Sequence, residues 1–329
     1  MRFLTIMRLL TGVKPTGGLH IGNYFGAVKN FLDLQRNYES FLFIADYHGF
    51  INQQNPDELK SNILEIAADY LAIGLNPSTI IFKQSDVPEV TELAWIFNCL
   101  ITVPYLERAH AYKNAISKGI KPTVGLFDYP SLMAADILIY ESDVVPVGKD
   151  QKQHLEITRD IAQKFNQKFG QTFNLPKPII NRDTETIIGL DGRKMSKSYH
   201  NTISLFEEKE DLVKKVRSIV TDSKGVNESK DPDQCPIFAL HRLFSQDILP
   251  ELEKRYRIGD IGYKESKDIL IENMEKFIAP LRRKREEIIS NPEEIKEILR
   301  RGAKKARMVA QKKIKEVREK IGVELNYVT

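Results

Sequence analysis

Along the first 190 residues the hydrophobic positions alternate between short unbroken runs and stripes at helical spacing, which predicts a succession of buried strands and amphipathic helices. The apolar run around Met7 to Leu10 has strand length, and Ile21, Phe25, Val28, Phe31 and Leu32 then recur on one helical face. A second run, Phe41 to Asp46, reads as a strand. Asn55-Pro56-Asp57-Glu58 follows with a cap, a proline in the first turn and early acids. The helix after it carries its apolar stripe on Leu59, Ile63, Ile66, Ala67, Tyr70 and Leu71, ends near Gly74, and gives way to a short strand at Thr79 to Phe82. This order predicts an α/β fold with a Rossmann-like, doubly wound parallel sheet. Ligands of such sheets lie beyond the carboxyl ends of the strands, where Asp46-Tyr47-His48 and the segment 147–151 fall.

Residues 91–140 are mainly helical and read as an insertion between the halves of the nucleotide fold, with Trp95, Ile96, Leu100 and Ile101 suited equally to a core or an interface. After Leu205 the strand pattern stops, and helices are expected over 207–221, 237–257, 263–289 and 293–321. The predicted organisation is a catalytic domain at 1–205 and an all-α domain at 206–329. Ser223 to Pro236 is the expected loop.

At 329 residues the chain is long enough for two domains, and no apolar run reaches the roughly 18 residues of a membrane span. The first residues lack a secretory pattern, and two cysteines, Cys99 and Cys235, are too few for a disulfide framework, so a cytoplasmic protein is expected. Net charge is +4, yet residues 281–320 carry fifteen Lys or Arg against seven Glu, which leaves the remainder slightly acidic. Such asymmetry suits a polyanion, although a solvated helix face gives the same pattern.

Two stretches carry the chemistry. Between the first strand and its helix lie Gly12, Gly17, Gly18, Gly22 and Gly26, which allow a sharp turn and let helix N-terminal amides face an anion. Far downstream, Asp191-Gly192-Arg193-Lys194-Met195-Ser196-Lys197-Ser198 places two flexible ammonium groups on one loop, suited to following phosphoryl charge. Leu19-His20-Ile21-Gly22-Asn23 resembles the His-Ile-Gly-His element of class I aminoacyl-tRNA synthetases, with Asn in the last place, and the downstream loop resembles their Lys-Met-Ser-Lys-Ser element. Over nearly the whole chain the resemblance is nearest to the bacterial tryptophanyl-tRNA synthetases, most specifically at residues 129–138 and 145–160.

The resemblance implies an ATP site on Gly12, Lys14, Thr16, Gly17, His20, Gly22 and Asn23, with Gly148 and with Asp150 at the ribose. Lys194, Met195, Ser196 and Lys197 close that site, and Thr16, Lys113, Lys194 and Lys197 are the implied catalytic groups. For tryptophan it implies a ring pocket of Met133, Val145 and Val147, with Asp136 accepting the indole N–H. His48, Tyr129 and Gln151 would then hold the amine and carboxylate. Read from the residues alone, Asp136 sits in an apolar helix where a carboxylate needs a partner, either a ligand or a protein cation. His48 fits a packing role and Lys113 a solvated one equally well.

The implied reaction attaches L-tryptophan to tRNA(Trp) through an adenylate, with ATP as substrate, Mg²⁺ on its phosphates, the basic C-terminal helix on tRNA, and a homodimer formed through the insertion. No metal site of the protein's own is expected. Lys149 departs from an acid common in the family, and a subset of the family binds an iron-sulfur cluster on four cysteines. Here Cys235 stands alone, because residues 258–266 have none, so no cluster is expected. A tyrosyl enzyme and a non-catalytic RNA-binding paralogue are the rival readings.

Overall fold

The computed structural model describes residues 6–148, 152–179 and 187–325. Five parallel strands, β1 Arg8–Val13, β2 Glu39–Ile44, β3 Ile80–Lys83, β4 Val144–Pro146 and β5 Lys177–Ile179, form one sheet in the order β3-β2-β1-β4-β5. The strand order reverses direction at β1, between β2 and β4, which opens a crevice beyond their carboxyl ends. Side chains alternate between two buried layers. Leu10, Phe41, Phe43, Phe82 and Val145 face one core, and Leu9, Leu42, Ile44, Ile81 and Val144 face the other. Burial on both faces accounts for the unbroken apolar runs of the sequence.

After β1 the chain passes through α1 Ile21–Asn23, a π-helical turn Tyr24–Val28 and α2 Lys29–Leu34. Beyond β2 come α3 Asp46–Phe50 and α4 Pro56–Ala72, whose Asn55 cap accepts the amides of Asp57 and Glu58 as expected. The insertion after β3 is helical: α5 Glu89–Asn98, α6 Val103–Leu106, α7 His110–Ser117 and α8 Val124–Leu138. After β4, α9 Lys152–Phe169 packs on α8.

The C-terminal part contains α10 Lys209–Arg217, α11 Pro236–Phe244, α12 Leu249–Ile258, α13 Tyr263–Ile289 and α14 Pro292–Ile321. The single helix expected over 237–257 is two, separated by a 3-10 turn at Gln246–Ile248. Pro250 has no N–H to continue the ladder, so the chain restarts with that proline in the first turn. The helix expected over 207–221 stops at Arg217, and Val220 instead donates to Leu190 O at 3.0 Å.

A third core joins α10–α13 to two residues of the motifs, Ile21 and Met195. Helix α14 behaves differently. Its Ala303, Ala306, Ala310, Ile314 and Val317 belong to one core of the sheet, and Ile295 and Leu299 to the other, so it lies along the edge strand β3. The approach is so close that a Cβ on Gly302 would sit 1.7 Å from Ile81 O, a position only glycine can occupy. Covering β3 with a helix closes an edge that would otherwise be open to pairing.

Candidate functional site

A cleft of about 470 Å³ opens at the carboxyl end of β1, and residues of both sequence motifs share it with α8 and the end of β4. A larger groove, about 990 Å³, runs between α4 and α14 and contains none of the motif residues. Chemistry therefore assigns the site to the smaller cleft.

At the glycine-rich turn, His20 and Asn23 cap α1 reciprocally: His20 Nδ1 accepts the Asn23 amide and Asn23 Oδ1 accepts the His20 amide, each at 3.3 Å. Burial, helped by the Lys197 charge, holds His20 down at about 4, so the ring is neutral and able to accept. The lysine loop docks directly on this turn. Gly22 N–H points at Met195 Sδ at 3.3 Å, and Lys197 Nζ donates to Thr16 O at 2.8 Å. Asn201 holds the loop's own shape by accepting from Ser196 N–H at 2.8 Å and donating to Asp191 Oδ1 and Lys194 O. Burial lowers the ammonium pKa of both Lys14 and Lys197. Gly12 lines the cleft because β1 passes against Phe43, whose ring would lie 2.4 Å from a Cβ there.

On the other side, α8 presents Tyr129, Met133 and Ile137 at successive turns, and Val145 and Val147 complete the wall. Lys14 Nζ lies 5.8 Å from the Tyr129 ring centroid. His48 lines the cleft, and its Nε2 bonds Asp136 Oδ2 at 2.9 Å. Asp136 itself is 1% exposed and one layer back, held also by Gln84 Nε2 at 2.8 Å from Oδ1 and 2.9 Å from Oδ2. Burial pushes the Asp136 carboxyl up, against the pull of His48 and Gln84. The protein partner that its apolar helix demanded is thus present, and Gln84 takes one of the two lone pairs of Oδ1.

The structure gathers Gly12, Lys14, Thr16, Gly17, Asn23, Gly148 and Lys197 around the cleft with His48, Tyr129, Met133, Val145 and Val147. His20, Gly22, Met195 and Ser196 support the glycine-rich turn and the lysine loop from behind. Lys194 is exposed on its loop, and Lys113 is exposed on α7 and does not reach the cleft. Lys149, Asp150 and Gln151 lie outside the described residues.

Three residues that sequence reasoning passed over belong here. His154 lines the cleft and bonds the Tyr129 hydroxyl. Gln84, fully buried after β3, orients Asp136 and accepts the Tyr47 amide at 3.1 Å. Asp69, fully buried in α4, accepts the Leu19 amide at 2.7 Å. A buried acid inside an amphipathic helix was the available signal for Asp69; Gln84 had none.

Several of the C-terminal cations are already paired with the rest of the chain. Arg285 bonds Asp69 at 2.5 Å, Arg307 bonds Glu89 at 2.8 Å and Arg318 bonds Glu92 at 2.5 Å. Lys313 is buried against Glu141 and Glu316. Lys304 and Lys305 have no carboxylate within 4.0 Å among the described residues.

Comparison with known proteins adds a family. The sequence model described as tRNA synthetases class I (W and Y) matches residues 5–279. A tryptophan–tRNA ligase of Fusobacterium nucleatum is 50% identical over 319 residues, 96% of this chain and 98% of that protein. Among solved structures, the tryptophanyl-tRNA synthetase of Campylobacter jejuni complexed with ADP and tryptophan superposes with a TM-score of 0.90 at 46% identity, covering 96% of this chain and all of that one. The Mycoplasma pneumoniae tryptophanyl-tRNA synthetase does so with a TM-score of 0.82 at 31% identity, over 97% of this chain and 99% of its own.

Proposed function

The chain belongs to the class I tRNA synthetases of the tryptophan and tyrosine group, and we infer that it attaches L-tryptophan to tRNA at the expense of ATP, releasing AMP and pyrophosphate. The observation that carries this reading is the direct docking of the Lys-Met-Ser-Lys loop on the glycine-rich turn beside an apolar pocket.

The reaction has two steps. The tryptophan carboxylate attacks the α-phosphate of ATP in line, forming the adenylate and expelling pyrophosphate. A ribose hydroxyl of the terminal adenosine of tRNA(Trp) then attacks the activated carbonyl and releases AMP. Neither step needs a nucleophile from the protein, so its work is positioning and electrostatic stabilisation of spread phosphoryl charge. The amides of Gly17 and Gly18, which have no acceptor among the described residues, and the ammonium of Lys197 would face that charge, and Mg²⁺ would enter as the counter-ion of the ATP phosphates. Lys194 sits on the same loop and would follow its movement. The role assigned to Lys113 requires α7 to move toward the cleft.

Tryptophan would lie with its ring between Met133, Val145 and Val147 and its indole N–H toward Asp136 Oδ1. His48 and Tyr129 would face its polar end. The free cations of α14 would meet tRNA phosphates, with anticodon bases stacked within the C-terminal helices. A homodimer is supported by exposed apolar side chains on the insertion, where Trp95 is 70% and Val124 81% exposed. A one-chain mass by light scattering would contradict it.

Charging of tRNA(Trp) with labelled tryptophan tests the whole function. Stoichiometric AMP and aminoacyl-tRNA are expected, and tRNA binding without charging would leave only the RNA-binding paralogue.

A further inference from the structure

Asp69 stands at a junction between the glycine-rich turn and α13. It is fully buried in α4, its Oδ2 accepts the Leu19 amide at 2.7 Å and its Oδ1 accepts Arg285 Nε at 2.5 Å. Leu19 ends the glycine-rich turn, and three residues earlier in it the Thr16 oxygen receives Lys197. Arg285 lies 216 residues away in sequence, on α13 of the C-terminal part. The same helix also meets the helical segment after the turn through Phe277, whose ring lies 5.6 Å from Tyr24 and 5.8 Å from Phe25.

Resting on the functional reading above, we propose that Asp69 is a positioning residue for the ATP-side turn, and that Arg285 is the group through which α13 holds it in place. The turn has glycines at 17 and 18 and little of its own to fix it. A fully buried carboxylate is tolerable only when its lone pairs are met, so Asp69 has one well-defined place while both donors are present. With Arg285 removed, the carboxylate is left buried with a single amide, and it must protonate or shift. Either response moves the Leu19 amide, and with it the Thr16 oxygen on which Lys197 rests. The linkage also gives the C-terminal helices a physical route to the ATP site, since a displacement of α13 pulls on the Arg285–Asp69 pair.

The test uses the full chain with tryptophan-dependent ATP–pyrophosphate exchange and thermal unfolding measured side by side. Arg285→Met should lower kcat of exchange at least tenfold and raise the KM for ATP more than that for tryptophan, and Arg285→Lys should restore most of the loss. Asp69→Asn, which keeps an acceptor for Leu19 but loses the charge, should fall between them. Arg282→Met is the control. It removes a cation from the same helix, one bonded to Glu275 and to Glu207 O, and should lower the melting temperature comparably while leaving kcat unchanged. Equal kcat losses in the Arg282 and Arg285 variants, or exchange kinetics in Arg285→Met and Asp69→Asn matching the unaltered protein, would overturn the inference while leaving the enzyme assignment standing. Absence of exchange in the unaltered protein would overturn both.

Discussion

Lys197 Nζ donates to the backbone oxygen of Thr16 at 2.8 Å, closing the lysine loop onto the glycine-rich turn across 181 residues of sequence. Among the described residues the ammonium has this one backbone acceptor and no ion pair, so it can transfer to a phosphate oxygen without breaking one. Replacing Lys197 by Ala should lower kcat for adenylate formation by roughly 10²-fold, about 2.7 kcal/mol, with the tryptophan KM nearly unchanged. Single-turnover kinetics check this, and a tenfold rise in tryptophan KM at constant kcat would sink it.

The basic C-terminal helix divides into cations paired with other elements and exposed cations, among which Arg300 and Arg301 pair with Glu297 of their own helix. Neutralising Arg300, Arg301, Lys304 and Lys305 should weaken tRNA binding and flatten its salt dependence while pyrophosphate exchange stays intact. Neutralising Arg307 or Arg318 should instead lower the melting temperature, because their partners Glu89 and Glu92 belong to α5. Unchanged tRNA affinity in a folded quadruple variant would mean that those charges only solvate the helix.

Specificity should depend on Asp136. Its replacement by Ala removes the proposed indole acceptor and also frees His48 and Gln84. The tryptophan KM should rise strongly and the tryptophan-to-phenylalanine ratio of kcat/KM should shrink from a starting value of about 10⁴ or more, with ATP affinity near normal. Survival of that ratio with stability alone reduced would make Asp136 a structural anchor.

His241 gives the fold a pH dependence. It is fully buried, bonded to Ser245 and Ser266, and held down at about 4 by burial. Between pH 4 and 6.5 the unfolded chain binds a proton there that the folded chain does not, so its contribution is complete above about pH 6.5 and is lost as pH falls toward 4. Replacing His241 by Gln should reduce the slope of unfolding free energy against pH in that window by up to about 1.4 kcal/mol per pH unit. Denaturant titrations at several pH values measure the slope, and identical slopes in the two proteins would refute the assignment.

What the sequence made legible was local. The turn after β1, the Asn55 cap, the lysine loop and the cleft-lining spacing of Tyr129 and Met133 each announce themselves within a few residues. What it hid was pairing at long separation. Gln84 looks like any polar residue after a strand until β3 brings it against Asp136, and Asp69 meets Arg285 only when α13 has packed on α4. The apolar stripe of α14 was readable, but not its destination. The clue that it returns to β3 is Gly302, a glycine in mid-helix whose reason is a carbonyl on another element. The break at Pro250 was missed because the apolar pattern runs on through it.

The most direct test of the central claim is amino-acid-dependent ATP–pyrophosphate exchange by the unaltered protein, with tryptophan and tyrosine supplied separately. The account predicts rapid exchange with tryptophan and a kcat/KM for tyrosine lower by several orders of magnitude, as a pocket shaped by Met133, Val145 and Val147 around a ring with an N–H donor requires. Exchange with tyrosine equal to or faster than with tryptophan would contradict it.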